Sequence, residues 1–179
     1  HAGASSYQKI MDYFTPRFYL GMTATPERSD EFDIYTLFDH NIIYEIRLKD
    51  AMEEELLCNF NYYGVTDNAL DVNDTSDERV EYIIENIEFY GYSGSRLKGL
   101  VFCNSVSNAR ALSEKFNEHG YKTTYLSGSN SQSEREEQIK RLISDDVNGD
   151  ILDYIFTVDI FNEGVDISEI NQIVMLRET

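Results

Sequence analysis

The chain has 179 residues, 41% of them hydrophobic, and 33 acidic against 15 basic residues give it a formal net charge of −18. This length allows one good hydrophobic core, or one core and part of another, and no apolar run approaches the roughly 20 residues that span a bilayer. A domain that binds nucleic acid by neutralising phosphates is usually basic, so the charge argues against such binding overall but leaves room for a small local site.

The first 70 residues predict few regular elements. Residues 19–22 resemble a strand, residues 32–38 predict a short helix, and residues 42–48 resemble a second strand. A third strand is expected near residues 59–65. The segment 64–76, rich in Asp and Asn, predicts an exposed loop.

From about Thr75 onward, helical and strand patterns alternate. Thr75 and Glu78 have the spacing of a capping box, and an apolar helical stripe follows them. Residues 100–103 form a short apolar run, as expected for a strand covered on both faces. A helical stripe then runs from Val106 to Phe116 and ends at Gly120, a residue typical of helix C-termini.

The second half of this pattern repeats the first. Residues 123–126 predict a strand, and Ser131 with Glu134 predicts a capped helix. Strands near residues 155–158 and 173–176 complete the series. Alternation at this spacing predicts an α/β fold with right-handed crossovers, a parallel sheet and helices on both faces. Ligands of such sheets lie at the carboxyl ends of the strands.

Cysteine and histidine usage gives no sign of a metal centre. Cys58 and Cys103 lie far apart, and Cys103 closes an apolar run, where we expect a buried, reduced thiol. The three histidines match neither a metal site nor a catalytic triad. The N-terminus lacks the pattern of a signal peptide. We therefore expect a soluble, cytoplasmic protein without a membrane partner.

Three segments carry the functional prediction: residues 21–28 (GMTATPER), residues 101–105 (VFCNS) and residues 156–167 (FTVDIFNEGVDI). In this order they resemble motifs III, IV and V of superfamily-two helicases, in the DEAD/DEAH-like branch that includes helicase subunits of type III restriction enzymes. The opening residues HAGASSY resemble the stretch that follows the acidic metal-binding box of that branch. The resemblance covers nearly the whole chain.

The resemblance implies a domain organisation. Residues 49–179 would be the second RecA-like lobe, which stops before motif VI, and residues 1–48 a remnant of the first lobe with the interlobe linker. In this family ATP lies between two such lobes, and its hydrolysis opens and closes the cleft along a nucleic-acid strand. The implied partners are nucleic acid, in particular double-stranded DNA, and the missing first lobe. We also expect self-association through residues 1–48, where an unpaired strand would seek a partner.

The resemblance also assigns roles to individual residues. Thr23 and Thr25 would couple the nucleotide site to the strand, or else simply cap a strand-to-turn junction. Asn104 and Ser105 would contact the nucleic-acid backbone, since a hydroxyl or a helix N-terminal amide can hold a phosphate oxygen, or would serve only as a helix cap. Ser127 and Gly128 occupy the equivalent place after the next strand.

Motif V supplies the remaining assignments. Thr157 would offer its hydroxyl to the strand, Gly164 would let the backbone approach a ligand, and Asp166 would accept hydrogen bonds from the ATP ribose. The alternative is an acidic turn without a ligand.

Several motor parts do not occur in this sequence. It has no G-x-x-x-x-G-K-[S/T] phosphate loop and no arginine-rich motif VI, and the Asp-Glu pair for Mg²⁺ that the resemblance places just before His1 is absent. ATP and Mg²⁺ are therefore expected in the parent protein, with their main binding motifs outside this chain, and no catalytic residue is assigned here. Two other hypotheses stay open: a catalytically silent RecA-like protein-interaction module, and a flavodoxin-like nucleotide-binding enzyme, which the missing phosphate loop disfavours.

Overall fold

The structure is a computed structural model that describes residues 3–24, 33–65, 73–146, 148–161 and 166–177. It divides into two compact units, His1–Tyr62 and Tyr63–Thr179. The predicted lobe boundary at residues 48/49 remains a prediction.

The first unit contains only short helices among its described residues. These are α1 (Ser5–Tyr13), a 3-10 helix (Ile34–Phe38) and α2 (Leu48–Glu53). The short helix expected at residues 32–38 is confirmed by the 3-10 helix, which the Asp33 carboxylate caps by accepting from the Tyr35 amide at 2.9 Å.

The three strands predicted in the first 65 residues were wrong. Residues 18–24, 41–47 and 58–65 are all described, and none of them lies in a β-strand. The physical reason is that a strand needs a hydrogen-bonded neighbour, and these segments pair with no other described segment. A local pattern of β-forming residues was therefore not sufficient to predict a strand in this part of the chain.

The second unit has the predicted parallel α/β architecture. Its elements are α3 (Asp77–Tyr90), β1 (Gly99–Phe102), α4 (Val106–Glu118), β2 (Thr123–Leu126), α5 (Gln132–Ile143), β3 (Tyr154–Thr157) and β4 (Gln172–Met175). The strands are parallel in the order β2-β3-β1-β4.

Helices cover both faces of this sheet. On one face, α3 and α4 pack against side chains that include Val101 and Phe156. On the other, Leu142 of α5 packs against Leu100 and Ile155. The chain reaches β2 through α4 and returns to β3 through α5. Crossovers between parallel strands are right-handed as a rule, and these two move across the sheet in opposite directions. Their helices therefore lie on opposite faces of the sheet, as observed here.

Helix ends follow the sequence signals, with one correction. The capping box of α5 is confirmed, since the Ser131 hydroxyl accepts from the Glu134 amide at 3.3 Å and Glu134 accepts from the Ser131 amide at 2.7 Å. Gly120, after α4, has the expected positive φ of 91°. The box expected at Thr75 was wrong by one residue, because Ser76 caps α3 and is itself held by the Asp74 carboxylate.

Candidate nucleic-acid interface

The four strands end side by side at the carboxyl edge of the sheet. Phe102 is in register with Thr157 and Met175, and Thr157 with Leu126. Two residues further along each strand lie Gly128, Asp159, Asn104 and Arg177, in the spatial order of the strands; we call these four the polar row. Backbone hydrogen bonds between neighbouring strands continue one residue beyond the strands. The Cys103 amide donates to the Thr157 carbonyl at 2.9 Å, and the Leu176 amide donates to the Phe102 carbonyl at 2.9 Å. The parallel topology therefore brings together the ends of three strands at which polar or small residues were predicted, and it adds Arg177 beside them.

Asn104 and Ser105 connect β1 to α4. Asn104 is exposed, and among the described residues its side chain has no hydrogen bond. Ser105 caps α4: its hydroxyl accepts from the Asn108 amide at 3.2 Å and lies 3.1 Å from the Ser107 hydroxyl. Asn108 is 4% exposed, and within the described part of the chain its two side-chain polar atoms have no hydrogen-bond partner. Ser105 thus has the capping role that was one of its two predicted roles.

Ser127 and Gly128 form a turn between β2 and α5. The Ser127 amide donates to the Asn130 side chain at 2.9 Å, and its buried hydroxyl lies 2.9 Å from the Ser129 hydroxyl. Gly128 is exposed, and a side chain added there would meet nothing within 4 Å. Arg135 of α5 donates to the carbonyls of Ser127 and Gly128 at 3.3 and 3.1 Å. This holds a cationic side chain at the edge.

The turn after β3 begins with a buried threonine. Thr157 is 0% exposed, and its hydroxyl donates to the Ile160 carbonyl at 3.2 Å. Asp159 and Phe161 have positive φ values of 54° and 65°, a conformation that is uncommon outside glycine and asparagine and concentrates at functional sites. In this structure the Thr157 hydroxyl therefore stabilises the turn, and its predicted contact with a strand remains a prediction.

Arg177 ends the polar row beside β4. Its guanidinium lies 3.8 Å from the Asp159 carboxylate and 5.6 Å from the centroid of the Phe102 ring. Sequence reasoning missed Arg177 and Arg135. A signal existed only for Arg135, which follows the predicted cap of α5 by four residues and so lies one turn into that helix.

The threonines of the motif III segment belong to the first unit. Thr23 is exposed, while Thr25 lies outside the described residues. Gly164 lies outside them as well. Asp166 is described: its carboxylate is exposed and has no hydrogen bond among the described residues. None of these coupling and nucleotide-binding assignments is tested by this geometry, and they remain predictions.

The parallel sheet with polar strand ends has a counterpart among known families. The helicase conserved C-terminal domain family matches residues 78–178, more than half of the chain. The chain belongs to this helicase family. Its opening residues 1–28 match a second family, the type III restriction enzyme res subunit. The predicted superfamily-two helicase of the type III restriction branch, with a RecA-like second lobe, is thus confirmed.

One curated relative comes from a Lactococcus phage (isolate 7-9), where it is described as a 51.5 kDa protein. This helicase chain is 22% identical to it, over 100% of the chain and 41% of the relative. The chain thus spans about two-fifths of the length of this relative. Among the described residues, no helix is long and apolar enough to cross a membrane.

The helicase family uses ATP and Mg²⁺, and the residues present fit only part of that requirement. The exposed Asp166 carboxylate can accept hydrogen bonds from sugar hydroxyls. By contrast, the described residues contain no group of three or more His, Cys, Asp or Glu side chains that could hold a metal ion. The described residues thus include a carboxylate that can accept hydrogen bonds but no such metal-binding group.

Proposed function

We propose that this chain is the second lobe of an ATP-dependent helicase or translocase that moves on nucleic acid, in particular double-stranded DNA. The observation that carries the proposal is the polar row at the carboxyl edge of the sheet, flanked by the N-termini of α4 and α5. Helix N-termini present unpaired backbone amides and a partial positive charge, which suit phosphate oxygens.

Local charge at this edge differs from the charge of the whole chain. The net charge is −18, but Arg135 and Arg177 both lie at the carboxyl edge. Interactions between charges more than about 10 Å apart are largely screened at ordinary ionic strength. A strand at this edge would therefore interact mainly with these two guanidinium groups, with the helix N-termini and with the Asp159 carboxylate 3.8 Å from Arg177, and less with acids elsewhere on the surface.

The dimensions of the row also suit a nucleic-acid backbone. Four strands spaced at roughly 4.8 Å make a row about 14 Å wide. Successive phosphates along one strand of a duplex advance by about 3.4 Å, so the row can contact more than one phosphate. The open space over Gly128 leaves its backbone accessible to such a ligand.

Hydrolysis of ATP by the complete protein tests the motor part of the proposal. We expect double-stranded DNA to stimulate hydrolysis. Asp166→Ala should slow it by roughly tenfold, the effect of losing one or two hydrogen bonds to a sugar. Glu169→Ala, which removes another exposed carboxylate nearby, is the matched control. No hydrolysis with DNA or RNA would overturn the motor assignment.

Binding of a short fluorescent DNA duplex tests the polar row separately. Arg177→Ala should weaken binding and lower the slope of log affinity against log salt by about 1, since one phosphate contact is lost. Asn104→Ala should weaken binding without changing this slope. Asn148→Ala, an exposed asparagine in the loop before β3 at the other edge, should change neither. Equal effects of all three substitutions would remove the row from the binding site.

A protein-interaction module without motor activity is the second candidate, and the charge of −18 favours it. The two candidates differ in one measurable respect: a module would bind its partner equally well with and without nucleotide, and would show no DNA-stimulated hydrolysis of ATP.

The first unit supplies a proposal about partners. Many of its large apolar side chains are exposed, including Phe14, Phe18 and Met22 at 59%, 78% and 91%. A first lobe of the same protein would cover them, and without it residues 1–48 would self-associate through the same surface. Sedimentation of the 179-residue chain at increasing concentration tests this: we expect a dimer or larger species, and a monomer at all concentrations would contradict it.

A further inference from the structure

A pocket lies at the amino edge of the sheet, opposite the polar row. Its volume is about 480 Å³, and its wall is formed by the end of α3 with the loop after it, the residues between α4 and β2, and the beginnings of β3 and β4. The residues that matter for its chemistry are Glu88, Tyr92, Tyr121, Asp153, Tyr154 and Gln172. We call it the amino-edge pocket. Nothing in the helicase assignment uses it.

Tyrosine side chains form the aromatic part of this wall and are held in place. The rings of Tyr121 and Tyr154 are 5.8 Å apart and tilted by 57°. The Tyr154 hydroxyl donates to the Gln172 side chain, whose amide group donates to the carbonyls of Ile87 at 2.9 Å and Gly91 at 2.7 Å. Tyr92 is 47% exposed, whereas Tyr154 is 1% exposed. A ligand can therefore reach the rings of Tyr92 and the half-buried Tyr121, and the buried Tyr154 ring packs against Tyr121.

Two carboxylates complete the wall, and each has unused capacity to accept hydrogen bonds. Glu88 accepts from the Tyr121 hydroxyl at 3.0 Å through one oxygen, and Asp153 accepts from the Lys122 amide at 2.8 Å through one oxygen. Among the described residues, the second oxygen of each carboxylate has no hydrogen bond. Burial, the bond to Glu88 and the nearby carboxylates raise the pKa of Tyr121 to about 12. The pocket thus disfavours negative charge.

Arg96 is the cationic side chain of the wall, and its guanidinium is already engaged elsewhere. It donates to the carbonyls of Leu97 at 3.1 Å and Leu152 at 2.7 Å, and to that of Leu142 in the last turn of α5. Its charge therefore lies against carbonyl oxygens, including one at the negative end of a helix dipole. The two carboxylates keep their capacity for a second cation.

We propose that the amino-edge pocket binds a guanidinium group, carried either by an arginine side chain of a partner polypeptide or by a small molecule. A guanidinium is planar, stacks on tyrosine rings and presents several N–H donors to carboxylates, which matches this wall better than a compact ammonium ion does. A pocket of 480 Å³ lies within the size range of small-molecule sites, roughly 300–1,000 Å³. It accommodates the group together with its alkyl chain.

Nuclear magnetic resonance titration of the intact chain tests the proposal with three probes: agmatine, an arginine flanked by glycines in a blocked peptide, and the same peptide with citrulline. Citrulline has nearly the same shape but no charge. We expect saturable shifts with the arginine probes and none with citrulline. Peptide binding at least tenfold tighter than agmatine would identify a polypeptide as the source, and equal or tighter agmatine binding a small molecule. Equal binding of citrulline, or no binding of any probe up to roughly 10 mM, would overturn the proposal.

Substitutions locate the binding. Tyr92→Ala and Glu88→Gln should each weaken arginine binding by roughly fivefold, the typical size of one cation–π contact or one charge-assisted hydrogen bond at a partly exposed site. Both side chains are exposed, so the fold should persist, and the melting temperature checks this. Glu85→Gln, an exposed glutamate one turn earlier on α3, is the matched control. Equal loss in the control would overturn the assignment. DNA binding at the opposite edge should be unchanged in all three variants.

Discussion

Both units of the chain are rich in hydrophobic residues, but in the described parts of the chain only the second unit buries them in a core. Among the described residues of the second unit, 20 hydrophobic side chains are buried, and all of them but Ile151 belong to two clusters, one on each face of the sheet. In the described part of the first unit only Ala51 is buried, although this unit is rich in aromatic and aliphatic residues. Apolar composition therefore does not by itself produce a core.

The two units differ in whether their backbone groups find hydrogen-bond partners in neighbouring strands. In the second unit, parallel strands satisfy each other's hydrogen bonds and offer two faces for helices. The described residues of the first unit form short helices and contain no sheet of their own. Four predictions test this contrast, from the largest expected effect to the smallest.

The two cysteines provide the largest contrast. Cys58 lies in the first unit and is exposed, whereas Cys103 is buried at the end of β1. Burial raises the pKa of the Cys103 thiol to about 12, so little of it is thiolate near neutral pH. Because thiol reagents attack the thiolate, we expect Cys58 to react roughly a thousandfold faster or more. Absorbance with a chromogenic thiol reagent measures both rates, and equal rates would contradict the difference in burial.

A matched pair of phenylalanine substitutions comes next. Phe156 of β3 is 0% exposed and Phe18 is 78% exposed. Phe156→Ala should lower the free energy of unfolding by about 3–5 kcal/mol, because it leaves a cavity between the sheet and α4. Phe18→Ala should change it by less than about 0.5 kcal/mol. Urea unfolding followed by circular dichroism measures both, and a similar loss for Phe18→Ala would indicate a core in the first unit.

Two asparagines test the polar contacts of the units. Asn171 accepts from the Lys98 amide at 2.9 Å and donates to the carbonyls of Ser93 at 2.6 Å and Arg96 at 2.7 Å. Asn171→Ala should cost about 2 kcal/mol, because partly buried backbone groups lose their partner. Asn41→Ala, in the first unit, removes an exposed side chain and should have no measurable effect. Urea unfolding measures the free energy of unfolding of both variants. An unchanged free energy in Asn171→Ala would show that water replaces the hydrogen bonds of the side-chain amide.

The smallest effect concerns helix caps and pH. Ser131→Ala should destabilise the chain by about 1 kcal/mol through loss of the α5 cap. Hydrogen bonds from the Ser131 amide and hydroxyl lower the pKa of Glu134. A carboxyl group with a lowered folded-state pKa stabilises the fold above its ordinary pKa, and this stabilisation disappears as the pH falls through the lowered value.

The difference in melting temperature between the parent chain and Ser131→Ala should therefore shrink on acidification from about pH 7 to about pH 3. Asp33→Ala, at the cap of the 3-10 helix in the first unit, should leave the melting temperature unchanged at both pH values. An identical pH response of Ser131→Ala and the parent would show that the cap does not affect Glu134.

Sequence patterns predicted the second unit well, because each of its elements carries a complete local signal. The predicted β2 matches the structure, and the other three strands are displaced by one residue. Buried parallel strands form continuous apolar runs, and Ser131 with Glu134 marks a helix start without tertiary information. The expected strands of the first unit failed because their pairing depends on a neighbour, which no local pattern specifies.

The candidate site could be predicted in outline only. Parallel topology places Asn104, Gly128 and Asp159 at one edge, so the sequence was sufficient for them. The position of Arg177 depends on β4 pairing with β1, more than 70 residues earlier in the chain. The amino-edge pocket is formed by four separate segments of the chain, and no sequence spacing indicates that Tyr92 and Asp153 share a wall.

The Asn171 and Gln172 side chains also have a consequence for synthesis on the ribosome. Together they hold the carbonyls of Ile87, Gly91, Ser93 and Arg96, in the segment that leads into β1. During vectorial synthesis those carbonyls emerge about 80 residues before their partners. The loop before the first strand therefore stays without its native partners until the fourth strand leaves the exit tunnel. A nascent chain stalled before residue 171 should thus be sensitive to proteases at residues 91–98, and a chain stalled well beyond it should be protected.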